Sequence, residues 1–176
     1  MGAPMASHLI QAGHQLFVHT RSALPERIAD SAATRCTDAR GVAQAADVIF
    51  TMLPDTPDVE AVLFGEAGVA SGLSGGKVVV DMSSISPIRT KVFAQRIEAL
   101  RCHYLDAPVS GGEVGARNAT LSIMVGGSEA VFERVKPLLA LMNTFPTSPD
   151  RSARALPFSA TFCKLKSVPK KAVALT

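Results

Sequence analysis

The stretch Val78-Val79-Val80-Asp81-Met82-Ser83-Ser84-Ile85-Ser86-Pro87 decides the fold. Three consecutive β-branched residues make an apolar run too short for a helix. Such a run predicts a strand. The run ends at an acid and a serine-rich loop. Pro87 then stands where a helix begins, because its fixed φ suits the first turn. Val92, Phe93, Ile97 and Leu100 share one face of a helix over about 87–100, and His103-Tyr104-Leu105 supplies another brief strand. Strand, helix, strand in so short a span is the repeating unit of a parallel sheet.

The same alternation extends outward. Met5, Ala6, Leu9 and Ile10 lie at helical spacing after Gly2-Ala3-Pro4, with Gly13 closing that helix. Leu16-Phe17-Val18 predicts a strand ending at His19-Thr20-Arg21. Short helices are expected over 25–31 and 38–46, then the strand Val48-Ile49-Phe50-Thr51-Met52. The loop 53–57 feeds a helix over 59–64. Downstream, 106–120 reads as a loop, 121–125 as a strand, and Ser128 as the cap of a helix reaching Met142. The fold class is therefore α/β, a doubly wound parallel sheet.

After Asn143 the periodicity fails. All thirteen glycines lie at or before Gly127, whereas Pro146, Pro149, Pro157 and Pro169 crowd the last part. Residues 151–176 hold Arg151, Arg154, Lys164, Lys166, Lys170 and Lys171 with no acid. A domain over 1–142 and an irregular, basic, disordered tail over 143–176 are expected. The 47% hydrophobic content argues against disorder of the whole chain. No apolar run approaches the roughly 18–20 residues of a membrane span, and no signal peptide pattern opens the chain. Cys36, Cys102 and Cys163 form no CxxC, so neither a disulfide framework nor a zinc site is expected, and the setting reads as cytoplasmic. His8, His14, His19 and His103 lack metal-ligand spacing. Ser167-Val168-Pro169-Lys170 and Gly72–Lys77 imitate a serine nucleophile motif and a phosphate loop, but without the required context. With only Phe158 and Phe162 beside its cations, the tail reads as a solvated segment, not a nucleic-acid binder.

In such sheets ligands bind beyond the carboxyl ends of the strands. Three loops stand there: Met52-Leu53-Pro54, Asp81–Pro87 and Asp106-Ala107-Pro108-Val109-Ser110-Gly111-Gly112. A hydroxyl followed by two glycines exposes successive N–H groups that suit a carboxylate; a plain glycine turn is the competing reading. Gly2 opens a helix as the third glycine of a dinucleotide fingerprint does, though the strand and the earlier glycines of that fingerprint are not present. About 20 residues beyond such a motif an acid favours NAD and an arginine NADP. Here no acid precedes Glu26, and Thr20-Arg21-Ser22 ends the strand, which favours the phosphorylated cofactor.

Taken together, Met1–Ala6, Thr51–Pro54, Val80–Pro87, Asp106–Gly112 and Leu121–Gly127 resemble the β-hydroxyacid dehydrogenase family, the 3-hydroxyisobutyrate dehydrogenase-like proteins. The resemblance covers about residues 1–142. It implies a Rossmann-like domain lacking its first strand, and a chain incomplete at both ends. It also implies NAD(P)H-dependent reduction of a short semialdehyde acid, tartronate semialdehyde to glycerate, with methylmalonate semialdehyde as the alternative. NADP(H) is preferred and NAD(H) possible. By family role Gly2, Thr20, Arg21, Met52, Leu53, Pro54 and Ser84 contact the cofactor, and Ser110, Gly111 and Gly112 hold a small carboxylate substrate. No metal is implied. Homo-oligomers are expected only where the family's helical second domain is present.

The family's proton donor is a lysine in a glycine-rich stretch, followed by an asparagine four residues on. Its place falls near Ser159, where no glycine lies; the nearest lysine, Lys164, has Val168 at the fourth position. No catalytic residue is assigned. A positioned general acid contributes on the order of 10²–10⁴ in rate, so a second reading stands: an inactive fragment that binds dinucleotide weakly. The unseen first strand also implies a marginal fold and little affinity for the cofactor's pyrophosphate.

Overall fold

The computed structural model describes residues 1–143. In chain order these form α1 (Gly2–Gln11), β1 (Phe17–Val18), α2 (Glu26–Ala29), β2 (Thr34–Arg35), α3 (Ala39–Ala45), β3 (Val48–Thr51) and α4 (Thr56–Phe64). A 3-10 turn at Val69–Gly72 precedes β4 (Val78–Asp81), α5 (Pro87–Glu98), β5 (His103–Asp106), β6 (Val109–Ser110), α6 (Gly112–Asn118), β7 (Ser122–Ile123) and α7 (Glu129–Leu139).

β3, β4 and β5 run parallel in that order, and the register aligns Thr51, Asp81 and Asp106 across their carboxyl ends. Every residue of β3 and β4 is buried. Because side chains alternate along a strand, the two faces feed two cores. Val48, Phe50, Val78, Val80 and Leu105 join Met5 and Leu9 of α1 and Val135 and Leu138 of α7. Ile49, Val79 and Tyr104 join Val42 of α3, Val59 and Leu63 of α4, and Phe93 and Ile97 of α5. Helices on both faces of a parallel sheet make this a Rossmann-like, doubly wound fold, as expected.

β1 and β2 form a separate parallel pair. Val18 nevertheless shares one buried cluster with Val48 and Phe50. In the doubly wound order 3-2-1-4-5-6 a strand stands between these two pieces. Among the described residues none joins β1 to β3, which is where the expected sheet lacked its first strand.

Several local expectations change. The loop foreseen over 106–120 contains β6 and α6, because Val109 and Ser110 pair antiparallel with Ile123 and Ser122. The strand foreseen over 121–125 shrinks to Ser122–Ile123. Ser128 occupies the cap position of α7, but its side chain accepts no capping bond, and the helix ends at Leu139. The expected basic tail lies, from residue 144 onward, outside the described residues. Among the described residues no helix is long and apolar enough to cross a membrane.

Backbone crossing fixes the segment behind the third loop. Asp106 and Gly126 exchange N–H···O bonds of 3.0 and 2.7 Å. Next to them Gly127 adopts φ +136°, and a Cβ there would lie 2.7 Å from Cδ2 of Leu105, a side chain with no exposed surface. Gly127→Ala is expected to destabilise the domain by about 1–3 kcal/mol through overpacking and a disfavoured φ. A lowered urea midpoint with unchanged m-value would register it; an unshifted midpoint would contradict the packing.

Candidate functional site

The carboxyl ends of β3, β4 and β5 meet at one buried acid. Asp81 has no exposed surface. Thr51 Oγ1 donates to its Oδ1 at 2.8 Å, the Ser83 N–H donates to the same oxygen at 3.1 Å, and Tyr104 OH donates to Oδ2 at 3.0 Å. Buried carboxylates are tolerated when donors satisfy their oxygens, and here the donors come from all three strands or their immediate continuation. Burial, and then Asp81, push the Tyr104 hydroxyl well above its ordinary value, so it remains a donor. Asp106 is half-buried, and burial followed by Asp81 raises its carboxyl above 3.8.

The network passes from Asp81 to the Met52–Pro54 loop. Ser83 Oγ accepts the Leu53 N–H at 2.9 Å. One turn on, Thr56 Oγ1 accepts the Ser86 N–H at 3.1 Å. The loop after β3 and the loop after β4 are thus tied together twice. Asp55 caps α4 by accepting the Thr56 N–H.

A cleft of about 260 Å³ opens against this loop pair, lined by His19, Thr20, Arg21, Ser22, Met52, Leu53, Pro54 and Val62. Of the residues expected at a cofactor, Thr20, Arg21, Met52, Leu53 and Pro54 are therefore brought together, from the ends of β1 and β3. Gly2 opens α1 behind an N-cap, Met1, that offers no side-chain bond. Ser84 is exposed beside Ser83; neither it nor Gly2 lines the cleft. Ser110, Gly111 and Gly112 are exposed between β6 and α6, also apart from the cleft lining. Gly111 and Gly112 take φ +124° and +60°, and a Cβ on Gly112 would meet nothing within 4 Å. A second cleft of about 400 Å³, lined by His19, Thr20, Arg35, Cys36 and Thr37, adjoins the first through His19 and Thr20.

Sequence reasoning missed His19, Ser22 and Val62 as lining residues; the signal for the first two was the polar run that ends β1. It also missed Asp58, whose Oδ1 accepts Nη1 of Arg21 at 2.8 Å. The described lysines lie elsewhere. Lys77 donates to the carbonyls of Ala43 and Gln44 at the end of α3, which accounts for it as a cap rather than a phosphate-loop lysine. Lys136 pairs with Glu133, and Lys91 is exposed on α5. The candidates near Ser159 and Lys164 fall outside the described residues.

Comparison with known proteins agrees with the Rossmann-like fold. The family described as the NAD binding domain of 6-phosphogluconate dehydrogenase matches residues 1–148. The 2-hydroxy-3-oxopropionate reductase of Escherichia coli is 58% identical over 142 residues, which are 81% of this chain and 49% of that protein. Among solved structures, the 3-hydroxyisobutyrate dehydrogenase of Mycobacterium tuberculosis with L-serine superposes with a TM-score of 0.72 at 33% identity, covering 81% of this chain and 48% of that one. The protein Psf3 in complex with NADP+ and 2-OPP gives 0.74 at 27% identity, covering 81% and 51%. The chain spans about half the length of the curated relatives it matches.

Two outcomes follow from the network. Tyr104→Phe strands Oδ2 of Asp81 in the core and is expected to cost about 1–3 kcal/mol, measured by chemical unfolding; a neutral effect would mean water replaces the phenol. Ionising Asp106 is harder in the fold than in the unfolded chain. Stability therefore falls as pH rises from 3.8 through the raised value. Asp106→Asn is expected to remove that fall, with a gain over the parent above the window and none below it. Parallel pH–stability curves of the two proteins would contradict this.

Proposed function

Since the chain belongs to the family of the NAD binding domain of 6-phosphogluconate dehydrogenase, we propose that it is the nucleotide-binding part of an NADPH-preferring reductase of a short semialdehyde acid. The substrate we favour is tartronate semialdehyde (2-hydroxy-3-oxopropionate), reduced to glycerate; methylmalonate semialdehyde is the alternative. The observation that carries the proposal is the convergence of Thr20, Arg21, Met52, Leu53 and Pro54 on one cleft at the carboxyl ends of β1 and β3.

The residues present fit a nicotinamide dinucleotide. The cleft has an apolar wall in Met52, Leu53 and Val62, suited to a flat ring, and a polar wall in His19, Thr20, Arg21 and Ser22. Arg21 offers a planar fork of donors to a phosphate monoester; among the described residues no acid lines this cleft, and Asp58 pairs with Arg21 from outside the lining. When bound, the dinucleotide supplies the hydride. The chain's own contribution is to hold it: the Ser83–Leu53 bond fixes the apolar wall before a ligand arrives. Gly2 at the start of α1 faces the phosphates in this reading, and Ser84 touches the nicotinamide side. Ser110, Gly111 and Gly112 receive the substrate carboxylate through backbone amides and a hydroxyl. Gly111 and Gly112, at positive φ and without side chains, leave the approach to those amides open.

A second reading, binding without turnover, is favoured by one observation: among the described residues no lysine lines the cleft. Both readings share the cofactor test. NADPH fluorescence titrations of the 176-residue chain are expected to show weak, saturable binding. Arg21→Asp should weaken NADPH about tenfold or more, the scale of a lost charge-assisted bond plus repulsion, while NADH changes little. Equal losses for both cofactors would remove the NADPH preference, and no saturable binding of either would remove the cofactor assignment.

A further inference from the structure

Arg21 is already engaged. Its Nη1 donates to Oδ1 of Asp58 at 2.8 Å, and the two side chains differ in freedom: Arg21 is 71% exposed and Asp58 29%. The acid is the anchored partner. It stands in the first turn of α4, where the helix dipole favours a carboxylate. The arginine reaches to it from the loop after β1, at the mouth of the cleft that Arg21 lines. The other charges near this edge are committed. Glu60 pairs with Arg89 and Arg96, and Asp55 caps α4. Arg35 faces the adjoining cleft. Asp58 is thus the acid that a phosphate approaching Arg21 meets.

Resting on the reading of Arg21 as the contact for the ribose 2′-phosphate, we propose that Asp58 is a specificity-determining residue, an internal competitor that holds the discrimination between NADPH and NADH below what an unopposed arginine gives. A guanidinium has donors on two edges, so a phosphate can take the free edge while Asp58 keeps Nη1. The dianion then sits beside a fixed negative charge that cancels much of the arginine's attraction. NADH brings no phosphate to this edge and so escapes that repulsion. Both groups reach solvent, so the penalty is modest and screened by salt.

The test is a set of NADPH and NADH titrations of the full 176-residue chain, of Asp58→Asn and of Asp58→Glu, at about 20 mM and about 500 mM salt. Asp58→Asn is expected to tighten NADPH about three- to tenfold at low salt, to leave NADH unchanged, and to lose most of that gain at high salt. Asp58→Glu, which keeps the charge, should behave like the parent. An unchanged or weakened NADPH affinity in Asp58→Asn overturns the proposal, as does an equal change for both cofactors, which would mark the acid as merely structural. If Asp58→Asn fails to fold, the decision falls to the parent and Asp58→Glu, whose NADPH-to-NADH ratio must vary in parallel with salt. Arg21→Asp separates the two layers. If it spares NADPH, the reading of Arg21 fails; if it weakens NADPH while Asp58→Asn does not tighten it, only the role of Asp58 fails.

Discussion

A carboxylate without exposed surface sits where three parallel strands end, and the loops around it take their shape from its hydrogen bonds. Burying an acid such as Asp81 without partners would cost several kcal/mol. Thr51, Ser83 and Tyr104 offset that cost with two hydroxyls and one amide. Each donor is also a constraint. Thr51 fixes the end of β3 against β4, Tyr104 fixes β5 against β4, and the Ser83 amide turns the chain sharply after β4. The turn delivers Ser83 Oγ to the Leu53 N–H. The apolar wall of the cleft is therefore a consequence of where Asp81 is satisfied, reached in two hydrogen bonds.

Such an arrangement separates a structural acid from a surface on which ligands can act. Asp106 is in register with Asp81 on the neighbouring strand but, among the described residues, lacks its shell of donors, and burial and its neighbour raise its carboxyl above the ordinary value. The loop that Asp106 starts is consequently pinned by backbone, through the paired bonds to Gly126, rather than by its side chain. This leaves Ser110, Gly111 and Gly112 exposed and free of side-chain obstruction, held in place by β6 pairing with β7.

Legibility in the sequence tracked burial. Val78–Val80 and Val48–Thr51 could be read because strands buried on both faces need uninterrupted apolar residues, and Pro87 could be read because proline has few other places in a helix. β2 escaped, since Thr34 and Arg35 are both exposed and carry no pattern. α6 escaped because Gly112 and Gly115 lower helix propensity; Gly115 is retained where a Cβ would crowd Leu121 at 3.2 Å. At the site, contiguous residues were legible: Met52-Leu53-Pro54 and Thr20-Arg21 do share a cleft. Contacts across long sequence separations were not. Tyr104 pairs with a residue 23 positions away and Arg21 with one 37 away, and neither spacing has a periodic signature.

The geometry also shows why binding and turnover are separable demands on this chain. In the proposed reading, holding a dinucleotide needs an apolar wall, a phosphate-facing cation and a rigid loop, and the candidates for these come from the ends of β1, β3 and β4. Reduction of an aldehyde needs, in addition, a proton donor at the developing alkoxide. Lys77 and Lys136 are occupied with helix α3 and Glu133, and Lys91 lies on the exposed side of α5. Tyr104 is held as donor to Asp81 deep in the sheet. In the proposed reading the donor has to approach from solvent, where Pro54 of the cleft is exposed and where Ser84 and Ser110–Gly112, outside the cleft lining, are exposed as well. The matched segment makes up about half the length of the curated relatives, and an exposed face is one to which a donor can be brought without disturbing the buried network.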